Sequence, residues 1–224
     1  MIKKGIILAG GTGSRMSPVT KAVNKQLLPL YDKPLFYYPL SVLMLAKIKD
    51  VLIIVNKGQV DQFKKVLPNG NNLGIKITYA EQEKPKGLPD AFIIGEKFIG
   101  TSPIALILGD NFFFGQSLTK KLIECTNLSK GAKVFLYPVK NPQFYGVATI
   151  NNNKITSIVE KPKKTNSKLA ITGLYFFDNN AADIASSLTH SKRGELEIID
   201  MIKIYKERFN LSICKIGRGN AWLD

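Results

Sequence analysis

Near its start the chain reads Gly5-Ile6-Ile7-Leu8-Ala9-Gly10-Gly11-Thr12-Gly13-Ser14-Arg15, an apolar run that leads into a loop with three glycines and an arginine. A second cation, Lys25, follows ten residues after the arginine. A strand that ends in such a loop brings bare backbone N–H groups and fixed positive charge towards a polyphosphate. The stretch predicts a strand and a phosphate-binding loop, although a plain glycine turn is the commoner origin of clustered glycines.

The spacing of this loop argues against the two best-known glycine motifs. A P-loop requires a lysine directly after its last glycine, and Ser14 follows Gly13. A dinucleotide fingerprint requires a third glycine where Met16 stands. The loop therefore indicates a phosphate site of another kind.

Apolar segments alternate with amphipathic ones along the first half of the chain, which predicts an α/β fold with a mixed, mainly parallel sheet covered on both faces. The predicted strands are 5–9, 51–55, 75–80, 104–108 and 132–139, and the predicted helices are 35–46, 59–66, 89–98 and 117–126. The second half predicts a hairpin at 147–150 and 154–160, strands at 170–177, 211–215 and 221–223, and helices at 181–188 and 195–207. We expect a single domain over 1–224, with a nucleotide-binding half at 1–140 and a sugar-phosphate-binding half at 141–224.

Composition narrows the function classes. The 224 residues are 45% hydrophobic and 22% charged, as in ordinary globular proteins, and no apolar run approaches the length of a membrane span. No signal peptide precedes the first strand, and the two cysteines read as reduced thiols, so we expect a cytoplasmic protein without a membrane partner. The sequence contains one histidine, His190, which lies in a polar segment. It therefore supports neither a serine–histidine triad nor a histidine-rich zinc site.

The net charge is +15, but the lysines are dispersed instead of interleaved with aromatic residues in one stripe. We interpret them as a solvated surface that attracts small phosphorylated anions, and we expect no nucleic-acid partner.

Further motifs continue from the loop in a recognisable order. The segment Lys25-Gln26-Leu27-Leu28-Pro29-Leu30-Tyr31-Asp32-Lys33-Pro34 comes first, followed by Tyr37-Tyr38-Pro39-Leu40. Later matches are Gln82 with Gly87-Leu88, Leu108-Gly109-Asp110-Asn111, Tyr145-Gly146-Val147, Glu160-Lys161-Pro162, Thr172-Gly173-Leu174-Tyr175-Phe176, Arg193-Gly194-Glu195-Leu196-Glu197 and Ala221-Trp222-Leu223-Asp224. With these motifs the chain resembles the sugar-1-phosphate nucleotidylyltransferases, and within them the glucose-1-phosphate thymidylyltransferases.

The resemblance implies a Rossmann-like three-layer fold and transfer of a thymidylyl group from dTTP to glucose 1-phosphate, which gives dTDP-glucose and pyrophosphate. It implies Mg²⁺ as cofactor, held by the carboxylates of Asp110 and Asp224. The implied catalytic residues are Arg15, Lys25, Asp110, Lys161 and Asp224. The implied nucleotide-binding residues are Leu8, Gly10, Gly11, Thr12, Gly13, Gln26, Gln82, Gly87 and Asp110. The implied sugar-phosphate-binding residues are Asn111, Tyr145, Gly146, Glu160, Lys161, Thr172, Arg193 and Trp222.

The residue types fit these roles. Arginine can bind two phosphate oxygens with its fork, and lysine provides a mobile point charge near the leaving pyrophosphate. A glutamine amide, here Gln82, can donate and accept at once, which matches the O4 and N3–H edge of thymine or uracil.

Two alternatives stay open at this point. The transfer could be uridylyl or cytidylyl transfer to a sugar 1-phosphate, with UTP in place of dTTP as the first variant. The chain could also be a nucleotide-sugar-binding protein that does not turn over. Family members continue past the position of Asp224 with a T-G-T motif and further helices. The resemblance implies a homo-oligomer, and in the family the region past this position helps to build the subunit contacts.

Overall fold

The computed structural model describes residues 1–11 and 13–224, and a mixed sheet runs through the middle of the molecule. The described strands are β1 Lys4–Ala9, β2 Pro29–Leu30, β3 Lys33–Pro34, β4 Asp50–Asn56, β5 Lys76–Gln82, β6 Ile104–Leu108, β7 Phe112–Gly115, β8 Ala132–Pro138, β9 Gly146–Asn151, β10 Lys154–Glu160, β11 Leu169–Phe177, β12 Leu211–Lys215 and β13 Asn220–Leu223. The described α-helices are α1 Tyr37–Leu45, α2 Val60–Val66, α3 Asp90–Ile94, α4 Glu96–Ile99, α5 Leu118–Thr126, α6 Ala181–Ser186 and α7 Ile198–Arg208.

Nine of the described strands form the central sheet, in the order β10-β9-β11-β6-β1-β4-β5, with β8 beside β11 and β12 beside β8. The neighbours β6, β1, β4 and β5 are parallel, whereas β11 is antiparallel to β6, β8 and β9. The predicted mixed α/β fold is confirmed. Among the described strands of this sheet, four pairs are parallel and four are antiparallel, and every antiparallel pair includes β9, β10 or β11 from the second half of the chain.

Successive side chains of the buried strands point to opposite faces of the sheet, so the apolar core is divided between the two faces. On β4, Val51, Ile53 and Val55 join one apolar cluster, and Leu52 and Ile54 join the other. Residues of α1, α2 and α5 cover the first face, and residues of α3, α4, α6 and α7 cover the second. Two layers of helices therefore enclose the sheet, as the apolar runs on both faces require.

Two local features differ from the predicted elements. The predicted helix 89–98 is divided at Gly95 into α3 and α4. Three short strands, β2, β3 and β7, were not predicted: β2 pairs with β3, and β7 pairs with β13 to form a two-stranded ribbon beside the main sheet. Pro39 lies in the first turn of α1, where a missing N–H costs no helical hydrogen bond.

Across the residues that the structure describes, none of the helices has the length and apolarity that a bilayer crossing needs.

Candidate active site

The predicted site residues gather where the parallel strands end. The glycine loop follows β1, Gln82 closes β5, and Asp110 follows β6. This carboxyl edge is where open α/β sheets bind their ligands. A larger groove of about 770 Å³ lies at the opposite edge around Lys3, Lys49 and Lys76, away from every predicted site residue, so we locate the site by chemistry instead of by volume.

Backbone geometry shapes the glycine loop. Gly11 has a φ of 102°, and Gly13 a φ of 57°, both in the region that favours glycine. A Cβ on Gly10 would lie 1.9 Å from Nε2 of Gln82, so only glycine lets the loop approach that side chain. Thr12, also predicted to bind the nucleotide, lies outside the described residues.

One cavity of about 280 Å³ adjoins the loop. Among the residues predicted to bind nucleotide, Leu8, Gly10, Gly11, Gln82 and Gly87 line it. Gly87 has a φ of 103°, and a Cβ there would meet the carbonyl oxygen of Leu196 at 2.0 Å. The loop that carries Gly87 therefore packs directly on the segment before α7.

The segment after the loop is fixed by Asn24, a buried residue. Its Nδ2 donates to the carbonyl of Ala9 at 3.0 Å, and its Oδ1 accepts from the N–H of Gln26 at 2.8 Å. This arrangement places Lys25 over the sheet edge, where its Nζ donates to Oδ2 of Asp110 at 2.7 Å. Both side chains of this ion pair are about one-fifth exposed, at 22% and 21%. Gln26 turns inwards, and its buried Oε1 has no partner within the described structure.

The carboxylates of Asp110 and Asp224 converge on one amide group. The Nδ2 of Asn111 donates to Oδ1 of Asp110 at 3.2 Å and to Oδ1 of Asp224 at 2.9 Å. The Oδ1 of Asn111 accepts from the Gly173 N–H at 3.1 Å and from Nε1 of Trp222 at 2.7 Å. All four hydrogen-bonding positions of this amide are therefore used by the protein.

The two carboxylates fit a divalent cation. Burial, and secondly repulsion from Asp110, raise the pKa of Asp224, while Asn111, Lys25 and Arg15 oppose the shift. No group of three or more metal-binding side chains occurs among residues 1–11 and 13–224. A hard cation that takes one or two carboxylates and completes its shell with substrate phosphates suits this pair, and that donor set is typical of Mg²⁺.

A second cavity, of about 550 Å³, adjoins the first and shares Glu160 and Lys161 with it. Burial raises the pKa of Glu160, which lies 3.8 Å from Nζ of Lys161 and 3.6 Å from Nη2 of Arg193. Arg193 is held mainly by Glu197, with contacts of 3.1 Å and 2.7 Å. Lys161 has a φ of 41°, a strained value for a residue with a side chain.

Aromatic residues form a wall of the second cavity. The ring of Trp222 lies 5.2 Å from that of Tyr145, and its indole N–H is already bonded to Asn111. Tyr145 and Gly146 line this cavity together with Arg15 and Asp224. Thr172 is fully buried, and its hydroxyl has no partner within the described structure.

Three residues that organise the site were not predicted as site residues: Asn24, Asn56 and Glu197, the last of which was named only as part of the motif that begins at Arg193. The first precedes a short helical turn, where asparagine is a common cap, so this signal was available. Asn56 ends a buried strand at the carboxyl edge, which was a second available signal. The bidentate contact of Glu197 with Arg193 joins two residues that are four positions apart in the same motif, so their spacing was a third available signal.

Comparisons with known proteins identify the family of the chain. The sequence model of the nucleotidyl transferase family matches residues 4–224. A relative from Neisseria meningitidis serogroup A named glucose-1-phosphate thymidylyltransferase is 53% identical over 222 residues, which cover 99% of this chain and 77% of the relative. A relative of the same name from Mycolicibacterium smegmatis is 48% identical with the same coverage.

Solved structures give the same result. A Bacillus anthracis chain described as a glucose-1-phosphate thymidylyltransferase in complex with a sucrose superposes with a TM-score of 0.91 at 40% identity, covering 99% of this chain and 89% of that one. A UDP-glucose pyrophosphorylase complexed with UDP-glucose superposes with a TM-score of 0.84 at 26% identity, covering 100% and 93%. The resemblance seen in the motifs is thus confirmed, and the chain belongs to the nucleotidyl transferase family.

Proposed function

We propose that the chain transfers a thymidylyl group from dTTP to glucose 1-phosphate and releases pyrophosphate and dTDP-glucose. The observation that carries the proposal is the cluster of Lys25, Asp110 and Asp224 around Asn111, beside a glycine loop and a glutamine-lined cavity. Relatives of 41–53% identity that bear the name glucose-1-phosphate thymidylyltransferase support the choice of substrates.

In this reaction a phosphate oxygen of the sugar phosphate attacks the α-phosphorus in line with the departing pyrophosphate. The protein must hold two polyanions together and neutralise the charge that moves to the leaving group. The N–H groups of the glycine loop and the cations Arg15 and Lys25 take these roles on the triphosphate side. Their effect is largest in the transition state, because the pyrophosphate gains charge as it leaves.

We assign Asp110 and Asp224 as the residues that hold Mg²⁺. When bound there, the cation supplies positive charge to the phosphate oxygens of both substrates. Asn111 fixes the two carboxylates through its Nδ2 group, and its predicted contact with the sugar phosphate stays a prediction.

On the sugar side, Glu160 accepts hydrogen bonds from sugar hydroxyl groups. Lys161 and Arg193 bind the 1-phosphate, and the strain at Lys161 supports a role for its side chain, since strained residues cluster at functional sites. Tyr145, Gly146 and Trp222 form the walls of the sugar site. Thr172 is buried and lies between two lining residues, Ile171 and Gly173, so its predicted contact with the sugar phosphate stays a prediction.

Uridylyl transfer is the second candidate. The amide of Gln82 matches thymine and uracil equally, because both bases present O4 and N3–H. A related structure at 26% identity is described as a UDP-glucose pyrophosphorylase.

Pyrophosphate release with dTTP, UTP and dCTP, each combined with a panel of hexose 1-phosphates and Mg²⁺, tests both candidates. We expect the highest kcat/KM with dTTP and glucose 1-phosphate. If UTP were preferred, uridylyl transfer would replace the proposal. If no pair released pyrophosphate although the protein bound nucleotides, the chain would be a nucleotide-sugar-binding protein without turnover.

We further propose a homo-oligomer in solution. The exposed face of the β7–β13 ribbon presents Phe114 and Leu223, which are 69% and 60% exposed, and Tyr31 is 96% exposed. Phe114 also stacks on Phe112, and a contiguous apolar patch on a surface marks a site of contact with another protein. Light scattering after size exclusion measures the mass, and a monomer of 24.8 kDa would contradict this proposal. The cytoplasmic location and the absence of a nucleic-acid partner stay predictions.

A further inference from the structure

The side chain of Asn56 connects the glycine loop to the residue that reads the base. Its Oδ1 accepts from the Gly11 N–H at 3.0 Å, and its Nδ2 donates to the Gly11 carbonyl at 2.9 Å. The same Oδ1 accepts from Nε2 of Gln82 at 2.9 Å. Asn56 and Gln82 are register partners on the parallel strands β4 and β5, so their side chains leave the sheet on the same face.

These contacts leave Asn56 one orientation. A backbone carbonyl only accepts hydrogen bonds, so the group that faces it must be Nδ2. A backbone N–H only donates, so the group that faces the Gly11 N–H must be Oδ1. The backbone of Gly11 therefore fixes which end of the Asn56 amide points towards Gln82.

The orientation of Asn56 in turn fixes that of Gln82. Since Oδ1 of Asn56 can only accept, Gln82 must turn its Nε2 towards it. Gln82 is 4% exposed and lines the 280 Å³ cavity, where its remaining amide hydrogen and its Oε1 form one donor and one acceptor. The reversed amide would place Oε1 against Oδ1 of Asn56, two acceptors in a nearly dry site.

The order of donor and acceptor distinguishes pyrimidine bases. Thymine and uracil present an acceptor at O4 and a donor at N3–H, whereas cytosine presents a donor at N4 and an acceptor at N3. A glutamine whose amide is fixed in one orientation can pair with the thymine and uracil pattern or with the cytosine pattern, but not with both. Pairing with the other pattern requires the reversed amide.

We propose that Asn56 is a positioning residue that holds the Gln82 amide in one orientation and so sets the preference for thymine and uracil over cytosine. The inference rests on the proposed function, because it assumes that Gln82 reads the base.

The experiment measures kcat/KM for dTTP and for dCTP, with glucose 1-phosphate saturating, in the wild type and in Asn56→Ala. We expect the ratio of the two values to fall by about ten-fold in the alanine variant, the equivalent of one hydrogen bond between neutral groups. A fall of both values by the same factor would show that Asn56 only supports the loop, and this would overturn the inference.

Asn56→Asp is the matched control. A carboxylate still accepts from Gly11 N–H and from Nε2 of Gln82, but it cannot donate to the Gly11 carbonyl. We expect this variant to lose overall activity and to keep the dTTP to dCTP ratio of the wild type. If the aspartate and alanine variants lost the ratio equally, the orientation of Gln82 would not depend on the acceptor, contrary to the inference.

Binding of dTTP and dCTP without sugar phosphate, measured by calorimetry on the same three proteins, separates this inference from the proposed function. In one outcome the wild type shows no turnover but binds dTTP better than dCTP, and Asn56→Ala reduces this preference. That outcome supports the inference and contradicts the proposed function. Normal turnover of the wild type, together with an unchanged preference for dTTP over dCTP in Asn56→Ala, supports the proposed function and contradicts the inference.

Discussion

Lys25 occupies a central position among the charged residues of the site. Its Nζ contacts Oδ2 of Asp110 at 2.7 Å, and no other side chain is as close to this carboxylate among the described contacts. The ammonium group is on a flexible stem, so it can turn from the carboxylate to a phosphate oxygen without a change in the backbone.

Substitution of Arg15 or Lys25 by alanine is expected to lower kcat by about 10²–10³-fold, because each cation stabilises charge on the leaving pyrophosphate. The dissociation constant of glucose 1-phosphate should change much less. Initial rates and sugar-phosphate titrations measure the two effects, with Lys21→Ala, an exposed lysine of the neighbouring turn, as control. Weaker sugar-phosphate binding with unchanged kcat would contradict the assignment.

Glu160 predicts a pH dependence of stability. Burial raises its pKa in the folded protein, so the folded state holds this proton more tightly than the unfolded state. The ionised group therefore costs stability at high pH, and the cost disappears as the pH falls below the ordinary glutamate range.

We expect Glu160→Gln to melt about 1–3 °C above the wild type at pH 8 and to show no gain near pH 4. Thermal unfolding across this pH range measures the difference. The exposed Glu207→Gln should show no such trend. A gain that grows towards low pH would have the wrong sign and would refute the burial argument.

At the scale of elements, the loop after β5 depends on close packing against the segment before α7. Gly87 forms an isolated bridge with Leu196, and the N–H of Leu196 donates to the carbonyl of Lys86 at 2.7 Å. A side chain at Gly87 would separate the two segments and change the floor of the base cavity.

Gly87→Ala is accordingly expected to destabilise the protein more than Gly58→Ala. Both glycines have positive φ, which costs alanine about 1–2 kcal/mol, but a Cβ at Gly58 meets nothing within 4 Å. Urea unfolding compares the two. Gly87→Ala should also raise KM for dTTP by about ten-fold, since a shifted loop misplaces the base. Equal effects of the two variants would show that φ alone matters.

The elements differ in how far the sequence predicts them. The parallel strands carry long apolar runs, and their predicted bounds agree with the structure to within two residues at each end. In contrast, β7 directly follows the site residues and gains its partner, β13, more than 100 positions later along the chain. The amide of Asn111 likewise has hydrogen-bond partners 62 and 111 residues away. A local sequence pattern therefore could not predict that all its hydrogen-bonding positions are used.

At the scale of the whole molecule, the net charge of +15 acts on substrates that are both anions. A positive surface raises the local concentration of polyanions, and salt screens this effect within about 10 Å at 0.1 M.

We expect kcat/KM for dTTP to fall several-fold between about 50 and 500 mM salt, while kcat at saturation changes less. Steady-state rates at constant free Mg²⁺ measure both constants. A neutral solute at equal osmolality is the control. Salt-independent kcat/KM would mean that the dispersed lysines contribute nothing to substrate capture.

The ion pair between Lys25 and Asp110 also couples the ligands of the site to one another. A triphosphate that attracts Lys25 frees a carboxylate, and a cation that takes the carboxylate frees Lys25 for the triphosphate. By thermodynamic reciprocity, each ligand must then raise the affinity of the other by the same factor. We therefore expect the cation and the triphosphate to be held more weakly one at a time than together, so that a site with only one of them empties again before the chemical step.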